Sequence, residues 1–462
     1  MRLKPLFLIT VAILITAALS AQAPRTPASP EPPKTAVSDV KENLHGVEIT
    51  DPYRWLEDQN SPETRKWIDA ENEYTDSLLN NIPGQDALDK KVAALLKIET
   101  MNTPVVRGGR YFFTRRLPDQ DQGSLFVRRG LTGKDELVVD PEKLDPAHTT
   151  SVVLSSVSHD GSLLLYGVRH GGEDEITPHL YDINAHRELA DKLPLARYTG
   201  LALLPDKSGF YYTKHTADGP RVYLHKIGTA SDHDAEIFGK GYGLEKLIFD
   251  AVSLDGHYLV ITVSYGSAAT KTDVYFQDLK TKGPVTPVVN DLDSAFFPSI
   301  AGDKLYMVTD WKAPNSRLVE VDLKNPAREH WREILPESDS VLEGISLVGG
   351  KVVAGYARNV VTTLKVLTPD GKLIREIKPP ALGTLSGLGG SWDNSEGFYS
   401  FNSFYIPPSI YRYDVSTGKQ SVWFQDKIPI SADKYEVNQV WYTIKGWNQS
   451  PHVCGPRQRP EA

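Results

Sequence analysis

Between Gly109 and Gly397 the chain repeats one pattern seven times: a glycine turn, an apolar strand, a few polar residues and a second strand. The first copy reads Gly108-Gly109-Arg110-Tyr111-Phe112-Phe113 and the second Asp160-Gly161-Ser162-Leu163-Leu164-Leu165. Turn glycines follow at Gly209, Gly256, Gly302, Gly350 and Gly397, spaced 46 to 48 residues apart from Gly161 onward, and the first interval, Gly109 to Gly161, is 52. Each is followed by a second strand, from Leu125-Phe126-Val127 in the first copy to Ile410-Tyr411-Arg412 in the seventh. A fixed period with several strands per unit predicts a mainly β fold, a seven-bladed β-propeller. A lone four-stranded sheet cannot bury both faces, whereas blades stacked around an axis bury each other's. The strands are accordingly near-continuously apolar, as in Tyr258-Leu259-Val260-Ile261, rather than alternating. Asp-Gly and Gly-Gly turns supply the positive φ of tight hairpins. Two stacked β-sandwiches would also give short strands and glycine turns, but nothing would hold their period constant.

Composition narrows the partners. At 40% hydrophobic and 24% charged, with a formal charge of −8, the 462 residues suit a soluble globular protein with a large core. Basic residues are dispersed, with pairs such as Arg115-Arg116 and Arg128-Arg129 but no long basic run. Nucleic acid and anionic membrane are therefore not expected partners. Residues 1–23 have the form of a signal peptide: Arg2 and Lys4, an apolar stretch over 6–19, and the small-x-small site Ala21-Gln22-Ala23. Export to the periplasm or medium is the expectation, with an uncleaved anchor as the alternative. Residues 24–36 form a Pro-rich leader expected to be disordered. The single cysteine, Cys454, excludes an internal disulfide. No Cys/His cluster has metal-ligand spacing, and neither a metal nor a cofactor is expected. His170 and His179 flank Glu173-Asp174-Glu175, which reads as an intrablade loop.

Residues 37–100 differ in kind. Ser61-Pro62-Glu63 is a helix start, with a Ser cap, Pro at the first position and an acid in the first turn. Trp67, Ala70, Tyr74 and Leu78 then share one face. After Pro83-Gly84, Leu88, Val92, Leu95 and Leu96 mark a second amphipathic helix. Such faces need a partner. The run Asp51-Pro52-Tyr53-Arg54-Trp55-Leu56-Glu57-Asp58, then Trp67-Ile68-Asp69-Ala70-Glu71-Asn72, resembles the N-terminal signature of the prolyl oligopeptidases. The seventh-copy string Tyr399-Ser400-Phe401-Asn402-Ser403-Phe404-Tyr405-Ile406-Pro407-Pro408 is similar to that family as well. The resemblance implies a propeller over 101–434 that restricts access to short peptides, and helices that pack on an α/β-hydrolase domain. That domain would carry a Ser-Asp-His triad cleaving after proline. Residues 435–443 resemble its entry.

The chain then departs from the family. No Gly-x-Ser-x-Gly occurs; the nearest string, Gly389-Gly390-Ser391-Trp392-Asp393, lies inside the seventh repeat. The expectation is a chain lacking the hydrolase domain, with no catalytic residue to assign and no peptidase activity alone. A free-standing binding propeller and one half of a split peptidase are the alternatives. The resemblance puts Tyr198 at a substrate-contacting position; inter-blade packing is the other reading of it. A monomer is expected. The first and last blades each hold a full set of strands, so they should meet through side chains, without strand exchange. Finally, residues 444–462 read as a frame-shifted tail, expected to be disordered. Shifted by one base, a permitted set of codons for Ile444 to Cys454 spells the family continuation Ser-Lys-Asp-Gly-Thr-Lys-Val-Pro-Met-Phe. Sequencing the locus should find a hydrolase frame beside this one; non-coding DNA in every frame would refute the shift.

Overall fold

The computed structural model describes residues 31–198, 200–268, 270–429, 431 and 434–442, and the backbone of 450–458. The signal-like segment 1–23, most of the leader, and the side chain of Cys454 lie outside the described residues. Two compact units are present, the first running to Ala94 and the second starting at Leu95, somewhat before the boundary expected at 101. No helix among the described residues is long and apolar enough to cross a membrane.

The first unit is not purely helical. It opens with an antiparallel hairpin, Val40–Leu44 against Val47–Asp51, turned by His45 and Gly46, both at positive φ. Two helices follow, α1 (Pro62–Leu79) and α2 (Gln85–Leu96). Ser61 caps α1 by accepting from the Thr64 amide at 3.1 Å, as its sequence requires. Thr64 is the one buried residue among those described in this unit. Leu79, Ile82, Leu88 and Val92 all stay exposed.

The second unit contains, in chain order, seven antiparallel sheets of four or five strands, over residues 100–139, 151–197, 201–238, 246–289, 296–335, 341–377 and 384–425. We number these blades 1 to 7. The apolar strand after each turn becomes the second strand of its blade and carries the core, with Phe112, Tyr166, Phe210, Ile261, Met307, Val353 and Tyr399 buried. The first strand of each blade lies beside that of a neighbour, so these strands form the inner wall. Five of the seven turn glycines have positive φ. The other two do not. In blade 3 the left-handed residue is Lys207, and Gly209 already belongs to the strand Gly209–Thr216. In blade 7 Gly397 sits within Asn394–Asn402, where a Cβ would stand 2.8 Å from the Leu388 side chain.

The ring closes as expected. Thr100–Met101 pairs with the strand Arg110–Arg116 of its own blade, and no backbone ladder joins blades 1 and 7 among the described residues. Side chains seal the seam. Tyr111 of blade 1 stacks on Trp423 of blade 7 at 5.0 Å, and Phe398 meets both rings edge-on at 6.0 and 5.2 Å. Arg128 covers Trp423 at 4.6 Å. The Tyr111 hydroxyl donates to Glu396 at 3.0 Å, and Arg412 donates to the same carboxylate. Burial first, then Glu396, pushes the Tyr111 phenol up to about 12.

The tail corrects an expectation. Ser450–Gln458 forms a strand paired antiparallel with Tyr435–Tyr442, so this part is ordered rather than irregular. Alternating residues are not required for a two-stranded ribbon whose ladder is made by backbone groups, which is why the lack of a sequence period misled.

Candidate functional site

Tyr198 sits where the chain passes from blade 2 to blade 3. The preceding pair Ala196–Arg197 adds to the start of the third strand of blade 2, with Glu175 opposite Arg197. That register brings Asp174, Arg197 and Tyr198 together. The Tyr198 hydroxyl donates to Asp174 Oδ2 at 2.5 Å, and Arg197 reaches the same oxygen at 3.2 Å. The guanidinium also lies 5.0 Å from the Tyr198 ring centre. The Tyr198 hydrogen bond, then that of Arg197, holds the Asp174 carboxyl below its ordinary range. Tyr198 is 45% exposed, so it is not an inter-blade packing residue. Its φ of 46° is unusual for a residue with a side chain. The ring is thus presented on the surface and fixed at both its backbone and its hydroxyl.

His170 and His179 do not converge on Glu173-Asp174-Glu175. His170 Nδ1 bonds Thr150 at 2.8 Å, while His179 stacks on Tyr166 at 5.3 Å. A different group brings metal-ligand atoms together among the described residues: Asp121, Glu142 and His148. Here the Asp121 carboxylate faces His148 Nδ1 at 2.8 Å, raising the imidazole above its ordinary range. The Asp121 amide donates to Glu142 at 2.9 Å. Exposed acidic groups already paired in this way explain their own proximity.

Ser391 lies in the first strands of blade 7, and its neighbours bear a superficial likeness to a triad. Its Oγ donates to Asp393 at 2.6 Å, and His159 of blade 2 reaches Asp393 at 2.8 Å. Burial works to raise the Asp393 carboxyl, but these two partners keep it below the ordinary range. The order of contacts is wrong for catalysis. A nucleophilic Ser must pass its proton to His, with Asp behind the imidazole; here Asp393 stands between the two. Ser391 and His159 are links between turns. The contact joins residues 234 apart in sequence and could not have been found by motif.

The second unit is therefore a complete seven-bladed propeller with a fixed surface aromatic and no assembled hydrolytic triad among its described residues. The family profile described as "Prolyl oligopeptidase, N-terminal beta-propeller domain" matches residues 32–426, and the chain belongs to that family. The prolyl endopeptidase of Elizabethkingia meningoseptica is 32% identical over 455 residues, covering 96% of this chain and 63% of that protein. The prolyl endopeptidase of Elizabethkingia miricola is 30% identical over 462 residues, covering 97% and 64%. A solved structure from a study of two prolyl endopeptidases superposes with a TM-score of 0.83 at 30% identity, covering 91% of this chain and 64% of that one. Prolyl oligopeptidase B from Galerina marginata shares the fold, with a TM-score of 0.80 at 22% identity. The chain is thus the propeller portion of a prolyl-endopeptidase-like protein, and it spans less than two thirds of the length of these relatives.

Proposed function

We propose that this chain is the peptide-selecting part of an exported prolyl-oligopeptidase-like serine peptidase acting on short proline-containing peptides. The observation that carries the reading is the match to prolyl endopeptidases along 96% of the chain, helical segment included. Residues 1–23 direct export, and the protein acts as a monomer without nucleic acid, metal or cofactor. Tyr198 contributes an aromatic face for the substrate, since its ring is exposed while Asp174 and Arg197 hold it in place. The 462 residues hold no Gly-x-Ser-x-Gly, so they bind such peptides without cleaving them.

The test combines a chromogenic proline peptide with a binding measurement on the purified chain. Binding without turnover is expected. Tyr198→Asn, which tolerates the left-handed backbone, should weaken binding about tenfold, the worth of one aromatic contact. Turnover abolished by a serine-directed inhibitor would overturn the non-hydrolytic part. Unchanged affinity in Tyr198→Asn would remove that residue from the site.

A further inference from the structure

The inner strands of blades 1 to 4 end at Arg107, Val157, Leu203 and Val252. These four ends and the turns that follow them line one cavity of about 220 Å³. Leu203, Pro205 and Leu254 supply apolar wall; Arg107, Ser156 and His159 supply polar wall. No carboxylate lines it, and neither does Tyr198.

Arg107 is the unmatched charge of this cavity. Its Nη1 donates to the neighbouring Val106 carbonyl at 2.8 Å. The guanidinium makes no other hydrogen bond and no ion pair among the described residues. The other cations on these turns are taken. Lys207 holds Asp160 at 2.6 Å, and Arg110 donates to the Gly161 carbonyl and to Asn184, both at 2.7 Å. His159 Nε2 faces Asp393 at 2.8 Å. The nearby acids are committed as well, since Ser158 bonds Asp160 and Ser253 bonds Asp255, each at 2.7 Å. Burial lowers the Arg107 guanidinium below its ordinary range, and Asp393 opposes this without reaching ion-pair distance. A part-buried cation with most of its donors unused is costly. An anion in the cavity would offset that cost.

We propose that this cavity binds a carboxylate attached to a small apolar group, with Arg107 as its cationic anchor. The guanidinium fork donates two parallel N–H bonds to the two carboxylate oxygens, and the Ser156 hydroxyl on the same wall is a further donor. The apolar group lies against Leu203, Pro205 and Leu254. One positive charge and an apolar wall match a monoanion of this kind, whereas a phosphate dianion would bring a second charge with nothing to neutralise it. A free organic acid and a peptide C-terminus present the same chemistry. The inference stands apart from the peptide-selecting reading, because it uses none of Tyr198, Arg197 and Asp174.

The probes are acetyl-leucine, acetyl-glycyl-leucine, the amide of the latter, acetyl-glycyl-alanine and inorganic phosphate, titrated against the full chain by ligand-detected saturation-transfer NMR. Both leucine acids should bind, and the tighter of the two identifies the free acid or the peptide end as the occupant. The amide should bind at least about tenfold more weakly than its acid, and this difference should shrink as salt is raised. Arg107→Gln should abolish the preference for acid over amide. Arg107→Lys, which keeps the charge but not the fork, should retain part of it. Leu254→Ser should weaken acetyl-glycyl-leucine severalfold while leaving acetyl-glycyl-alanine nearly unchanged, a readout that holds even if a substitution at Arg107 lowers the melting temperature. Tyr198→Asn should change none of these affinities. Equal binding of acid and amide, phosphate binding as tightly as the leucine acids, or a loss of binding in Tyr198→Asn would overturn the proposal. Weaker binding of the proline peptide in Tyr198→Asn, together with leucine acids that ignore Arg107, would leave the peptide reading intact and sink this inference alone.

Discussion

Replacing Asp250 with asparagine should stabilise the chain by about 2 kcal/mol at pH 8 and by close to nothing at pH 5. Asp250 lies on the first strand of blade 4 with its side chain between blades 3 and 4. Oδ1 accepts from the Thr213 hydroxyl at 3.2 Å and the Ala202 backbone also donates to the carboxyl. Oδ2 is buried without a partner. Burial pushes the carboxyl up to about 7, against the lowering effect of those donors. The titratable group facing it across the blade interface is Tyr211, whose phenol is raised by burial and then by Asp250. The sign follows from the direction of the shift. A carboxyl raised in the folded state favours the protonated form, so its contribution is fully present below the ordinary range near pH 4. It is lost as pH rises through about 7. A rise of roughly three pH units at about 1.4 kcal/mol each makes the ionised side chain cost about 4 kcal/mol at pH 8. Asparagine avoids the charge and keeps Oδ1 as an acceptor, but its amide N–H groups inherit the place of the unpartnered oxygen, at about 1–3 kcal/mol. The difference leaves the gain stated. Denaturant titrations of both proteins at several pH values between 5 and 8 would check it. A gain that does not change with pH would show that Asp250 is already uncharged, or already solvated, throughout that range.

What could be read in the sequence was whatever depends on local order. The blade count followed from the turn glycines, because a repeated hairpin must repeat its special backbone positions. The same logic erred at Gly209 and Gly397, where glycine answers to close packing rather than to positive φ. Helix α1 was legible because Ser61, Pro62 and Glu63 each meet a separate requirement of a helix start. The hairpin Val40–Leu44 with Val47–Asp51 was missed. Lys41, Glu42 and Glu48 make its strands polar, with no buried face to reveal a period. Contacts between distant repeats were beyond reach altogether. Tyr111 and Glu396 are 285 residues apart, and no local pattern in either repeat marks them as partners.

The seam between blades 7 and 1 should be the place where a single truncation does most damage. Phe398→Ala is expected to cost about 3–5 kcal/mol. Phe398 is fully buried and packs edge-on against both Tyr111 and Trp423, so its loss leaves a cavity between two blades and removes two aromatic contacts. Elsewhere in the ring a comparable cavity, at Phe296 for example, is spanned by blades whose connecting chain passes from one to the next. The seam has no such link, since residues 100–139 and 384–425 are the two ends of the ring and share no ladder. What holds them is the aromatic cluster together with the bonds from Tyr111 and Arg412 to Glu396. The variant should therefore lose local as well as global stability. Amide exchange should quicken most in Val105–Arg107 and Gly389–Ser391, the inner strands on either side of the seam, before the rest of the ring unfolds. Phe296→Ala, with its ring equally buried, should lower global stability without that focus. A Phe398→Ala variant that loses less than about 1 kcal/mol, or whose faster exchange is spread evenly over all seven blades, would show that closure does not depend on this cluster.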